Sequence, residues 1–184
     1  MNAHLPRLLR TLPVAWLLLG LIGCGPGVGG TGTGAVPDPA AFGASPASVC
    51  TAPFAPALQC PAGAGAPGTA DALQGTAMVR FADIATGGNV SASIDGNVVQ
   101  FGARCRALEF TGSWGVAAGD GRFFGNLALG SGIPLLPATL VVGIAGTTGL
   151  DLQVTLLDAA GGALLGPVTL QRVAEPVANP AACP

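Results

Sequence analysis

The chain has 184 residues, 30 of them Gly and 16 Pro, with only 9% charged side chains and a formal net charge of −2. All seven basic residues are arginine, Tyr is absent, and the one His is His4. A weakly acidic chain without Lys lacks the clustered cations that a phosphate backbone requires, so nucleic acid is excluded as a partner.

The N-terminus reads in three parts. Arg7 and Arg10 form a basic stretch, Leu12 to Gly23 is an apolar run of 12 residues, and a small residue precedes Cys24. This is the architecture of a secretory signal. The run is too short to cross a bilayer, which takes about 20 apolar residues. Leu21-Ile22-Gly23-Cys24 resembles the lipobox of bacterial lipoproteins, with an aliphatic residue first, a small one third, then cysteine. The resemblance implies cleavage before Cys24, acylation of its thiol and of the new amine, and attachment to the membrane through those chains. More than one acyl chain is what stable anchoring requires. Gly25 in place of Asp after the cysteine implies the outer membrane, where the cell has one. Cleavage would remove residues 1–23, leaving five Arg against nine acids, a net charge near −4.

Residues 24–70 are rich in Gly, Pro and Ala and are expected to form a flexible tether. A coil of that length has an r.m.s. span of about 35–40 Å. Its glycines lack the strand, helix and Lys of a phosphate-binding loop. Beyond Cys24 the chain keeps Cys50, Cys60, Cys105 and Cys183, an even number in an exported protein, which favours two disulfides. Of the three connectivities, Cys50–Cys60 with Cys105–Cys183 is preferred; the alternative staples the 50/60 segment to the domain. No C-x2-C pair and no mature His are present, so no metal site is expected.

Residues 71–184 are expected to form one globular domain. Val90, Ala92 and Ile94 alternate with Ser91 and Ser93, and Asp95-Gly96-Asn97 follows as a hairpin signal. Val99, Phe101 and Ala103 continue the alternation. Leu108, Phe110 and Trp114 fall on the opposite parity, which requires a bulge or turn near Arg106. Gly119-Asp120-Gly121 and residues 158–162 mark further turns. Leu150 to Leu156 is the clearest half-buried strand, and Pro167 predicts a bulge or an edge. The pattern is all-β: a small antiparallel β-sandwich or barrel of seven or eight strands, preceded by the signal peptide and the tether.

Candidate chemistry is sparse. Without a mature His, Lys or Tyr, the usual acid–base, nucleophilic-triad and Schiff-base arrangements are missing. Glu109, Asp120, Asp151 and Asp158 leave room for a carboxylate-pair hydrolase, but Asp120 and Asp158 fit turn positions. Asp95-Gly96-Asn97 lacks most oxygen ligands of a calcium loop. Arg104 and Arg106, expected on one strand face with Arg122 near, are candidate anion binders. Trp114, Phe123 and Phe124 are expected to supply aromatic core, but Phe123 and Phe124 must face opposite ways, so one faces out; Trp114 and Phe124 are the candidate ligand-binding aromatics. The expected function is a non-catalytic envelope lipoprotein with no cofactor, acting as an accessory or interaction module. It would meet the membrane through Cys24 and an envelope protein or glycan through its domain. A glycan- or small-ligand-binding domain is the alternative, and a carboxylate-based hydrolase ranks below it.

Overall fold

Strict alternation over many short segments closes here into a barrel. The computed structural model describes residues 36–61, 78–130 and 132–183. The signal peptide, Cys24 and tether residues 25–35 and 62–70 lie outside the described residues, as do residues 71–77 of the expected domain.

The strands are β1 (Ser45–Pro46), β2 (Val79–Ala82), β3 (Val90–Asp95), β4 (Val98–Ala103), β5 (Leu108–Ala117), β6 (Asp120–Leu129), β7 (Leu136–Ala145), β8 (Asp151–Asp158) and β9 (Ala163–Val173). β2 to β9 run as an antiparallel meander, and β2 pairs with β9 to close eight strands. Closure gives each of those eight strands a neighbour on both sides, although β2 covers only Gln171–Val173 of β9. β1 is an extra strand on the end of β5, with Ser45 opposite Val116.

The interior is solid. Phe81, Phe110, Phe123, Leu127, Leu140, Leu152, Leu156 and Leu170 are each at most 1% exposed, and they come from alternate positions of successive strands. Eight strands enclose just enough width for such side chains to meet across the axis. The expected change of parity near Arg106 is a 3-10 turn over Arg104–Arg106, with Ala107 at φ 49°. It lets Phe101 and Phe110 stand opposite each other and both point inward. Pro167 sits at the register shift between β8 and β9, where its missing N–H breaks no ladder.

Residues 36–61 correct the expected tether. They fold onto the barrel end that carries the β3–β4 and β5–β6 turns, and Val49, Phe54, Ala57 and Leu58 join the core. Phe54 is fully buried and meets Trp114 edge-on at 5.2 Å. Asn97 clamps the segment: its Oδ1 accepts the Val49 N–H at 2.8 Å, while its carbonyl accepts the Trp114 N–H at 2.8 Å. The Pro and Ala of this stretch read as coil by composition. A few spaced apolar anchors and the Cys50–Cys60 disulfide supply what composition hides.

Candidate functional site

Side chains on even positions of β4 and their cross-strand partners point away from the core, so register decides what the outer wall presents. Val173, Arg80, Ser93, Gln100, Thr111 and Asn126 fall on one rung across β9, β2, β3, β4, β5 and β6. The next rung carries Ala82, Ser91, Gly102 and Glu109. This wall is polar and small-residued, unlike the apolar band of a lipid-facing barrel.

The C-terminal tail turns the wall into a groove. After β9 the chain runs back outside the barrel to the opposite end, where Cys183 bonds Cys105. Ala181 N–H donates to the Gly87 carbonyl at 2.8 Å. The seat is the β2–β3 turn. Asp83 is buried there and accepts from the Thr86 N–H at 3.0 Å and from its hydroxyl. The turn carries Gly87 and Gly88 at φ 87° and 75°. A Cβ on Gly88 would stand 2.8 Å from Val177, so only glycine lets the tail lie this close. Between tail and wall lies a groove of about 770 Å³, with Pro176, Val177 and Pro180 on its tail side. That volume is in the range of small-molecule sites.

The groove is charged but internally unpaired. Among the described residues the one ion pair is Arg122–Asp120, an exposed contact of 3.4 Å at the other end of the barrel. Arg80, Arg104 and Glu109 all line the groove, and none has an ionic partner among those residues. Asn89 also lines it, with a side-chain oxygen that is buried and accepts no hydrogen bond.

The structure separates the residues that the sequence grouped. Arg104 and Arg106 flank Cys105 in a 3-10 turn instead of sharing a strand face. Arg104 faces the groove, whereas Arg106 donates to the Leu164 carbonyl at 3.0 Å. Arg122 belongs to the opposite end. Trp114 is 4% exposed, set inside the barrel between Phe54 and Phe123. Phe124 does point outward, as parity requires, but Phe42 lies 6.4 Å from it and leaves it 6% exposed. Neither aromatic offers a ligand a surface. The four cysteines form the two preferred disulfides, Cys50–Cys60 and Cys105–Cys183.

The carboxylates are dispersed. Glu109 pairs with Ala128, eight residues along β6 from Asp120, or roughly 27 Å at ~3.4 Å per residue. A glycosidase pair stands about 5–9.5 Å apart. Asp158 shapes its own turn, accepting from the Ala160 and Gly162 N–H groups at 2.8 and 2.7 Å. Sequence reasoning missed Arg80, Asn89 and Gln100. The outward parity of Gln100 was readable, but the rung that joins it to Arg80 and the tail that covers them and Asn89 depend on barrel closure. No family model matches the chain, and no curated protein or solved structure is significantly similar to it.

Proposed function

We propose that this protein is a lipid-anchored envelope lipoprotein that works as a non-catalytic interaction module through the groove on its outer wall. One observation carries the reading: the barrel interior is filled by its own side chains, while Arg80, Arg104 and Glu109, without an ionic partner among the described residues, line the groove outside, beneath the tail. A lumen packed with Phe and Leu leaves no room for a ligand of the kind that larger barrels enclose. The lipobox at residues 21–24 supplies the address.

A glycan as the groove's ligand is disfavoured, because the aromatics that would stack on sugar rings are spent on packing. A carboxylate-pair hydrolase is disfavoured by the distance between Glu109 and Asp120. The experiment is chemical crosslinking in the native envelope followed by purification of the lipidated protein. A stoichiometric partner that is lost in Gly102→Leu, which fills the groove floor, is the expected result. Recovery of the protein alone, or capture unaffected by Gly102→Leu, overturns the reading.

A further inference from the structure

Resting on the reading of the protein as lipid-anchored, we infer that one end of the barrel dips an apolar loop into the surface of the anchoring bilayer. The two ends are finished differently. Residues 36–61 cover the end that carries the β3–β4 and β5–β6 turns, where Val49, Phe54 and Leu58 join the core. At the other end the chain leaves β6 at Leu129 and enters β7 at Leu136. Residues 132–137, Gly-Ile-Pro-Leu-Leu-Pro, are exposed one after another and carry no polar side chain. Ile133, Leu135 and Leu136 are 49%, 46% and 43% exposed. Ile84, in the β2–β3 turn at the same end, is exposed as well. A sustained run of exposed apolar side chains works against solubility, so it marks an interaction surface.

The chemistry of the loop selects lipid as the occupant. A protein interface pairs a polar rim as well as an apolar centre, and this run has little to pair. It has no side-chain donor or acceptor, and two of its six residues are prolines without an N–H. Few unmet backbone donors is what an apolar phase requires of a segment that enters it. The barrel mouth behind the loop is apolar too. Leu136 stands opposite Leu127, Leu129 opposite Leu108 and Leu165 opposite Leu156, and Leu129 and Leu165 are only partly buried.

The attachment point brings that lipid within reach. Phe42 packs on Phe124, so the first described residues lie along β6, the strand that leads into the loop. Val36 is twelve residues beyond Cys24, a covalent reach of about 40 Å. β6 has ten residues, a length of about 34 Å at ~3.4 Å per residue. The reach exceeds the length of the barrel wall, so acyl chains on Cys24 and the loop can share one bilayer. A leash this short holds the loop at an effective concentration of millimolar order. Three apolar side chains then suffice, as the second signal that stabilises a lipid anchor.

The test uses the mature chain with Cys24, the one cysteine outside the two disulfides, coupled through its thiol to a maleimide lipid in phosphatidylcholine vesicles. Tryptophan is introduced by Leu135→Trp or, as the reference at the opposite end, by Leu150→Trp in the β7–β8 turn. Vesicles with and without bromine on the acyl chains are compared. The added emission of Leu135→Trp shifts to the blue and is at least halved by bromine, while that of Leu150→Trp is unchanged. Ile133→Ser in the same chain removes the quenching of Leu135→Trp and leaves the thermal midpoint in place, because it is a surface substitution. The inference is overturned if bromine leaves Leu135→Trp unquenched, if it quenches both positions alike, or if Ile133→Ser changes nothing. It is also overturned if the uncoupled chain forms a dimer that Ile133→Ser dissolves, which gives the loop to a second copy. Maleimide coupling supplies the leash whether or not the cell acylates Cys24. The mass of the native protein therefore decides the lipoprotein reading, and quenching decides loop insertion, so the two failures are distinguishable.

Discussion

Ala181 rests against Gly87, its N–H donating to the Gly87 carbonyl at 2.8 Å, so closely that a Cβ on Gly87 would overlap the Ala181 side chain. With Gly87 at φ 87°, any other residue is also strained in its own backbone. Gly87→Ala is therefore expected to cost about 1–2 kcal/mol and to lift the tail. Hydrogen exchange reads the second effect: the Ala181 amide loses protection while amides of β7 and β8 keep theirs. An Ala181 amide as protected as in the parent would show that the tail is held without its glycine seat.

The two disulfides should contribute unequally. Cys105–Cys183 spans 78 residues and Cys50–Cys60 spans 10. Chain-entropy scaling gives about 4.5 kcal/mol for the first and about 2.7 kcal/mol for the second. Replacing each pair by serine and measuring denaturant midpoints checks the order, with the larger loss expected for Cys105→Ser/Cys183→Ser. The opposite order would mean that the short loop acts through packing of the end segment more than through chain entropy.

Phe54 tests whether residues 36–61 are tether or domain. It is fully buried between the end segment and Trp114, and truncating such a phenylalanine costs about 3–5 kcal/mol. Phe54→Ala should lower stability by that amount in a single cooperative transition. A loss under about 1 kcal/mol, within the range of surface substitutions, would return this segment to the tether.

In the proposed reading, membrane attachment rests on Cys24. Mass spectrometry of the mature protein from its own envelope should find an N-terminal cysteine bearing a diacylglyceryl group and an amide-linked acyl chain. Cys24→Ser should leave a water-soluble or unprocessed product. A bare thiol at that residue, or the leader still attached, would remove the membrane from the account.

Local pattern made much of the barrel readable. The Asp95-Gly96-Asn97 turn, the parity change at Arg106 and the alternation through Leu152, Val154 and Leu156 each depend on near neighbours, and each appears in the fold. Barrel closure was not readable, because the pairing of Phe81 with Arg172 joins residues far apart in the chain. Residues 36–61 were hidden for a different reason. Their burial rests on a few apolar side chains meeting a surface that only the closed barrel provides. The same dependence explains the site. Arg104, an anion-binder candidate by sequence, lines the groove, whereas Arg106 donates to the Leu164 carbonyl, a partner that only the folded barrel brings near. Parity places Trp114 with the core residues Leu108 and Phe110, and Phe124 outward, but it cannot reveal that Phe54 packs on the first and Phe42 covers the second.

The claim that the outer wall beneath the tail is the working face can be read directly by photocrosslinking in the native envelope. Gln100 on β4 and Gln153 on β8 are both exposed, and their strands stand four apart in the closed ring of eight, on opposite sides of the barrel. A photoreactive residue placed at one or the other position compares the two faces in the same protein. The account predicts a discrete crosslinked product from position 100 and none from position 153. Equal labelling from both positions, or a product from position 153 alone, would contradict it.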